Sequence, residues 1–252
     1  MEYSFDGITY SDIFSLAKDF YRNDRFLQTL HSDELIDFIA REDVQKAERI
    51  EKLRLQSVPD DVMLFRAALV LNPFLPFSFH HQRFESLSDL GRYMLSFSPS
   101  PDAAFLSLLR YELLTEYMSI TRYKDSHKEE YEEVKEIEHI SRKDMTYAYY
   151  LMGYYLSKSK SIIYDHVEYK DIYNLTYFLV KKEKDLNALG SYLSFSPLLK
   201  AYGKYTSEGG LVDSYLHLCK KLDESKEHLD AFLEKRKRKL LDKAIARKGK
   251  CC

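Results

Sequence analysis

Glycine and proline are scarce in this sequence, and tryptophan is missing altogether. There are 8 glycines and 6 prolines among 252 residues, against 21 tyrosines. Because glycine and proline are the strongest breakers of regular structure, their scarcity argues against a loop-rich protein and favours long helices. A tyrosine has an apolar ring and a polar tip, so the many tyrosines predict surfaces of mixed character.

Cysteines and long apolar runs are also rare. The three cysteines, two of them at the last positions, do not make a disulfide framework, and a reducing cytoplasmic setting is the expectation. No stretch of about 18 apolar residues is present, which argues against a membrane-spanning helix. The first residues are acidic and lack a long apolar core, so we expect no signal peptide. Apolar residues still make up 45% of the chain and charged residues 31%, as in folded globular proteins.

Three stretches of the chain share one order of residue types. Each has an opening aromatic residue, a second aromatic five positions later and a leucine six positions after that. A polar pair lies between the aromatics, and in the first stretch this pair is Asp-Gly, a hairpin turn signal. Each stretch therefore predicts a short aromatic β-ribbon that leads into a helix. The residues are Phe5, Tyr10 and Leu16; Phe79, Phe84 and Leu90; and Tyr164, Tyr169 and Leu175.

Polar residues before each predicted helix are candidate N-caps. They are Ser11 in the first copy, Ser86 in the second and Lys170-Asp171 in the third. Further helices follow each copy, including one that Ser32 is expected to cap. One such unit cannot cover its apolar side alone, whereas stacked copies can, so the repetition predicts stacking.

The predicted fold class is mainly α: an irregular array of helical subdomains, each opened by a short aromatic β-ribbon or extended segment. The copies begin 74 and then 85 residues apart, and this uneven spacing argues against a strict solenoid. The alternative is a chance match in a chain rich in tyrosine and phenylalanine. The predicted units are residues 1–77, 78–162 and 163–234, followed by a basic C-terminal tail at 235–252.

The polar pairs of the three predicted turns are the first candidates for chemistry. Adjacent histidines titrate near neutral pH and bind metals, but no second half of a motif such as HExxH lies near them. The alternative is that they are exposed turn residues. If the turns faced one groove, they would form a common rim with the potential to hold a metal. The residues of this hypothetical rim are Asp6, His80, His81, Asp165 and His166.

Other polar clusters predict structure rather than catalysis. His217 and His228 lie on the predicted last helix about three turns apart, too far to share one ion. Cys219 is predicted to be a small buried hydrophobe, and a Cys-His pair would need tertiary contact. The charged run 127–139 predicts a solvent-facing helix rather than a cation site. No phosphate loop or hydrolase motif is present, so we expect no metal and no cofactor.

An aromatic segment is the first candidate surface for a partner. Tyr147, Tyr150 and Tyr154 share one face of a predicted helix, and tyrosines are common interface anchors. The alternative is a core helix, in which Gly153 permits close helix packing.

The basic tail is the second candidate surface. From Lys235 to Lys250 there are nine Lys or Arg residues and one acid, a net charge of +8, which leaves −10 for the preceding residues. Such a helix predicts contact with an acidic partner or an anionic membrane, and a solvated terminal helix is the alternative. Cys251 and Cys252 are candidates for lipid attachment, although they do not form a C-a-a-X motif. The candidate partner-binding residues of the tail are Lys235, Arg236, Lys237, Arg238 and Lys239.

The sequence as a whole predicts a non-enzymatic scaffold or adaptor, built from divergent helical repeats, with the basic helix as a second contact. Two alternatives stay open: a peripheral membrane protein anchored by the tail, and an enzyme of unrecognised type that uses the turn His and Asp residues. The expected partner is another protein, with an anionic membrane or acidic partner for the tail, and nucleic acid is not favoured. The expected location is the cytoplasm, with membrane association as an alternative.

Overall fold

A computed structural model describes residues 2–20, 25–183 and 196–248 and confirms the mainly helical fold class. The chain divides into two compact units, one formed by Met1–Ser159 with Ile163–His166 and the other by Lys160–Ile162 with Val167–Cys252. The three repeat units stay a prediction. Within the described ranges, no helix has both the length and the apolar character needed to cross a membrane.

Within the described residues, three short β-hairpins alternate with groups of helices. The strands are β1 (Tyr3–Phe5), β2 (Ile8–Tyr10), β3 (Ser78–Phe79), β4 (Gln82–Arg83), β5 (Ile162–Tyr164) and β6 (Val167–Tyr169). The helices after the first hairpin are α1 (Ile13–Ala17), α2 (Arg25–Leu30), α3 (Asp33–Glu42), α4 (Val44–Arg54) and α5 (Asp60–Leu71). Those after the second are α6 (Leu87–Ser96), α7 (Leu106–Arg110), α8 (Leu113–Ile120), α9 (Tyr123–Ser126), α10 (Lys128–Ile140) and α11 (Met145–Ser157). Those after the third are α12 (Ile172–Glu183), α13 (Ser196–Tyr205) and α14 (Gly209–Lys248).

The predicted aromatic ribbons are present in all three places as hairpins with two-residue turns. Both turn residues have positive φ in every hairpin, with values between 46° and 79°. Positive φ at both central positions defines the type I′ turn, whose twist matches that of paired strands. The residues at the open end of each hairpin are buried in every copy. They are Tyr3 and Tyr10, Phe77 and Phe84, and Ile162 and Tyr169.

A side-chain N-cap follows each hairpin at the same distance. Asp12, Ser86 and Asp171 each accept a hydrogen bond from the backbone N–H three residues later, at 2.8, 3.2 and 2.8 Å. The prediction is confirmed for Ser86 and Asp171, but the prediction of Ser11 is wrong. The cap lies seven residues after the opening aromatic in all three copies, and in the first copy that position is Asp12. Ser11 instead donates its hydroxyl proton to the Asp12 carboxylate, at 3.2 Å.

At the start of two of these helices, a carboxylate from a residue distant in sequence accepts a hydrogen bond from a backbone N–H. The backbone N–H of Ile13 donates to Glu42 Oε2 at 3.2 Å, and that of Ile172 donates to Glu208 Oε2 at 3.3 Å. Each carboxylate satisfies a helix N–H that has no partner within its own helix, and its charge suits the positive end of the helix dipole. The first and third copies therefore share a long-range contact in addition to the local cap.

Two tightly packed regions form most of the first unit. The first hairpin and α1–α5 share one apolar core, in which the Phe5 and Phe26 ring centroids are 4.5 Å apart. The second region is centred on the crossing of α6 and α11. A methyl group at Gly91 would lie 2.5 Å from the Ser157 backbone nitrogen and 2.8 Å from the Gly153 carbonyl oxygen. Only glycine permits the two backbones to approach this closely.

Candidate functional site

The aromatic segment predicted as a partner surface is helix α11, which lies in the core. Tyr150 and Tyr154 are 0% exposed, and Tyr147 is half-buried. The close crossing at Gly91 and Gly153 covers part of α11, and the burial of Tyr150 and Tyr154 favours the core interpretation over the predicted partner contact. The predicted alternative, a core helix with Gly153 at a close helix contact, describes what is observed. Burial also raises the pKa of Tyr150, which keeps its hydroxyl protonated.

The turn residues do not assemble a metal site among the residues that the structure describes. Asp6 accepts a hydrogen bond from Arg25 Nη1 at 2.8 Å, and His80 Nδ1 lies 3.0 Å from Asp61 Oδ2. Each of these pairs joins a hairpin turn to a helix. Arg25 is the first residue of α2, and Asp61 lies in the first turn of α5. These contacts therefore favour a structural role for Asp6 and His80.

The charged run 127–139 forms α10, and most of its charged side chains are exposed, as predicted. Val134 and Ile137 form the buried edge, and Glu138 is buried beside them at 1% exposure. The Glu138 carboxylate accepts hydrogen bonds from the backbone N–H groups of Leu114, at 3.0 Å, and Thr115, at 3.4 Å. It also accepts one from the Thr115 hydroxyl. Glu138 therefore caps the first turn of α8.

Burial raises the pKa of the Glu138 carboxyl from 4.5 to about 7, because desolvation disfavours the charged form. The hydrogen bonds from Thr115 and Leu114 lower the pKa in part, and the nearby Glu112 carboxylate raises it further. Glu112 itself has a positive φ of 54° where α7 gives way to α8, and Arg142 Nη2 donates to it at 2.5 Å. Glu138 in α10 and Arg142, two residues after the end of that helix, thus hold the α7–α8 junction in place. These contacts favour a structural role for both side chains.

The last described helix, α14, begins in close contact with α13. It has 40 residues, which is about 60 Å at 1.5 Å per residue. Val212 and Cys219 are each 1% exposed, which confirms the prediction of a buried cysteine. A methyl group at Gly203 would lie 3.2 Å from Gly209 Cα. His217 and His228 are both exposed on this helix.

After the buried Cys219, the described side chains of α14 are exposed. We call residues 220–248 of this helix the arm. All ten side chains of the arm that the structure describes are exposed: Lys220, Lys221, Glu224, Ser225, Glu227, His228, Ala231, Glu234, Lys235 and Arg238.

The basic residues predicted to contact a partner belong to the arm. Lys235 and Arg238 are exposed, as such a contact requires. Arg236, Lys237 and Lys239 lie in the same helix, but their side chains are outside the described part. Cys251 and Cys252, the candidates for lipid attachment, are also outside the described residues.

Lys220 and Ser225, among the described side chains of the arm, make polar contacts within their own helix. Lys220 Nζ lies 3.9 Å from Glu224 Oε1 one turn away, and the Ser225 hydroxyl donates to the Lys221 carbonyl oxygen at 2.8 Å. Exposed i,i+4 ion pairs of this kind contribute only about 0.3–0.5 kcal/mol. The exposed side chains of Lys235 and Arg238 are accessible to another molecule.

No protein-family model matches the chain, and neither a curated protein nor a solved structure is significantly similar to it. The functional interpretation therefore depends on the arrangement of the chain's own residues.

Proposed function

We propose that the protein is a non-enzymatic interaction scaffold that binds another protein through the arm of α14. The observation that carries this proposal is the exposure of every described arm side chain between Lys220 and Arg238. Most helical stability in proteins comes from packing one face of the helix, and isolated helices are marginal in water. A long helix with so many solvated positions is well suited to acquire its packing from a partner.

The distribution of charge supports the same function. The residues from Lys235 to Lys250 carry a formal charge of +8, whereas the residues before them carry −10. A field separated in this way steers an oppositely charged partner and fixes its orientation. The arm is therefore expected to contact a surface that is acidic at least in part.

The base of α14 supplies the rigid support that a scaffold needs. Val212 and Cys219 are buried there, and the backbones of α13 and α14 approach closely at Gly203 and Gly209. Glu208, directly before α14, caps α12 through the Ile172 N–H. These contacts fix the first turns of α14, so the arm continues from an anchored helix.

Affinity capture with chemical crosslinking in the native cell tests this function. The comparison uses the full chain, a chain that ends at Glu234, and a variant in which the basic cluster 235–239 is changed to glutamine. The matched control changes three exposed lysines outside the arm to glutamine: Lys128, Lys135 and Lys143. We expect one partner whose crosslinks map to the arm, lost in both arm variants and kept in the control. Identical partners from all four proteins would contradict the proposal.

Peripheral membrane binding is a second candidate function. The helix continues to Lys248, and its basic last part contains the apolar residues Leu240, Leu241, Ala244 and Ile245. Basic amphipathic helices of this kind lie on anionic membranes. Flotation of the full chain with anionic vesicles, and its loss in the chain that ends at Glu234, would favour this function. Equal flotation of the two chains, or none, would remove it.

A further inference from the structure

The turn of the first hairpin contains the one Asp-Gly pair of the sequence. Asp6 and Gly7 are its central residues, and they lie between Phe5 and Ile8, which are partners across the two strands. A glycine has no Cβ, so no side chain shields its backbone nitrogen. The Asp6 side-chain carboxyl carbon and the Gly7 nitrogen, with the three carbons between them, are the atoms of a five-membered ring. Asp6 is therefore the aspartate of this chain whose own backbone can react with it most readily.

Closure of that ring is an isomerisation that needs no co-reactant other than water. The Gly7 nitrogen attacks Asp6 Cγ, a C–N bond forms, and the nitrogen's proton and the carboxyl hydroxyl leave together as water. The product is a cyclic succinimide. When water then attacks the Asp6 backbone carbonyl carbon, the original peptide bond breaks. The chain now continues through Asp6 Cγ, which is an isoaspartyl linkage, and no atom has been gained or lost overall.

The folded turn keeps the reacting atoms apart. The φ values of Asp6 and Gly7 are 53° and 79°, as in a type I′ turn. In this turn ψ of the first central residue is about +30°, which puts Asp6 Cβ and the Gly7 nitrogen on opposite sides of the Cα–C bond. A planar succinimide needs both atoms on the same side of that bond. The ring therefore forms only after the turn has opened.

An ion pair also restrains the Asp6 carboxylate. Arg25 Nη1 donates to Asp6 Oδ1 at 2.8 Å, and this contact must break before a carboxyl oxygen leaves as water. The two side chains are 69% and 42% exposed, and exposed ion pairs are weak. The turn is therefore the main restraint on the reaction, and Arg25 is the minor one.

We infer that Asp6–Gly7 is a site of covalent modification, at which opening of the first hairpin lets Asp6 convert to isoaspartate. The substrate is the chain itself and the co-reactant is water. This inference goes beyond the proposed function, because neither the arm nor its partner takes part in the reaction.

The modification changes the hairpin in which it occurs. An isoaspartyl linkage adds one carbon, Asp6 Cβ, to the main chain, and a turn lengthened in this way no longer fits the pairing of Phe5 with Ile8. The Phe5 ring packs against Phe26, with centroids 4.5 Å apart, so the change reaches the core of the first unit. We therefore expect the modified protein to have a lower melting temperature.

Peptide mass spectrometry of the aged full chain tests the inference. Electron-transfer fragmentation distinguishes isoaspartate from aspartate, and the chain is aged at neutral pH both folded and in guanidinium chloride. We expect isoaspartate at Asp6 in the denaturant. It should form more than about tenfold faster there than in the folded protein, in which only the opened fraction reacts. Equal rates in the two states, or no isoaspartate at Asp6 in denaturant, would overturn the inference.

Two arginine variants test the restraint by the ion pair. Folded Arg25→Gln should form isoaspartate about two- to fivefold faster than the parent, because a weak exposed contact is lost. Arg49→Gln, at an exposed position of α4, should react at the parent rate. In guanidinium chloride both variants should match the parent. Equal rates for the two folded variants would contradict the role of Arg25.

The third hairpin offers a matched turn without the glycine. Asp165 and His166 occupy the same positions, with φ of 51° and 61°, but the histidine side chain shields its backbone nitrogen. In guanidinium chloride, Asp165 should react more slowly than Asp6 in the parent and at the same rate as Asp6 in His166→Gly. A rate at Asp165 that is the same with histidine and with glycine would refute the assignment to the Asp-Gly pair.

Thermal unfolding of the modified protein tests the effect on the hairpin. The isoaspartyl form is separated after ageing in denaturant, refolded and compared with unmodified protein carried through the same treatment. We expect the isoaspartyl form to melt at the lower temperature. Identical melting temperatures would contradict the predicted change in the first hairpin.

Discussion

Helix α10 and the arm of α14 are both highly charged, yet their described side chains have opposite surroundings. Within 13 residues, α10 buries Val134, Ile137 and even the carboxyl of Glu138. Every described arm side chain from Lys220 to Arg238 is exposed. The described side chains of α10 thus include an apolar edge that the chain itself covers, whereas those of the arm are polar except for Ala231. A packed helix needs both an apolar edge and a neighbouring element that covers it.

The comparison also shows which neighbouring groups contact the charged side chains of each helix. At α10 the neighbour is the α7–α8 junction, which offers backbone N–H groups to Glu138 and the Glu112 carboxylate to Arg142. In the arm, the described contacts of Lys220 and Ser225 lie within one turn of the same helix. Under the proposed function, a second protein supplies the neighbour that the α7–α8 junction supplies at α10.

The largest expected difference concerns matched apolar truncations in the two helices. Ile137→Ala should lower the free energy of unfolding by about 2–5 kcal/mol, because it leaves a cavity in a packed core. Leu218→Ala, at an exposed position of α14, should change the free energy of unfolding by no more than about 0.5 kcal/mol. Urea denaturation followed by circular dichroism measures both variants. Similar losses would contradict the exposure of α14 at this position.

The next largest effect is a pH dependence of the free energy of unfolding, which we expect from the ionisation of Glu138 in α10. The pKa of Glu138 in the folded protein is about 7, above its ordinary 4.5, so the folded state binds this proton more tightly. The resulting stabilisation is complete below about pH 4.5 and is lost as the pH rises through 7. It amounts to about 3 kcal/mol.

A pair of amide variants measures that contribution. Glu138→Gln should remove this fall in the free energy of unfolding between pH 5 and pH 8, because the amide cannot ionise. Glu227→Gln, at an exposed arm position, should leave the change in the free energy of unfolding with pH the same as in the parent protein. Denaturant titrations at several pH values provide the measurement. An unchanged slope in Glu138→Gln would refute the assignment.

A smaller effect is expected from matched glycine substitutions. Gly91→Ala should destabilise the protein by about 1–3 kcal/mol, because the new methyl meets backbone atoms of α11. Gly210→Ala, in the first turn of α14, meets nothing within 4 Å and should stabilise that helix by up to about 1 kcal/mol. Thermal unfolding shows whether each substitution lowers or raises the melting temperature. A neutral Gly91→Ala would contradict the close crossing of α6 and α11.

Local features of this fold follow from the sequence more reliably than burial does. The hairpins were predictable because an Asp-Gly turn and aromatics at a fixed spacing act within a few residues. The caps Ser86 and Asp171 were predictable for the same reason. Ser11 was not the first cap because two neighbouring polar residues compete, and the register of the chain selects Asp12, which lies one position later.

Burial was harder to predict because it depends on distant residues. The sequence left both a core and a surface interpretation of Tyr150 open, and the crossing that decides between them joins Gly91 to Gly153, 62 positions apart. Helical spacing puts Glu138 beside the apolar residues Val134 and Ile137, but nothing nearby in the sequence shows that its carboxylate meets N–H groups 24 and 23 residues away. A charged residue within an apolar stripe was the available signal.

Amide hydrogen exchange in the free protein and in its captured complex tests the central claim most directly. The account predicts that backbone amides of the arm gain protection when the partner protein binds, whereas those of α10, which is packed within its own unit, change little. Protection that appears elsewhere and leaves the exchange of the arm unchanged would contradict the account.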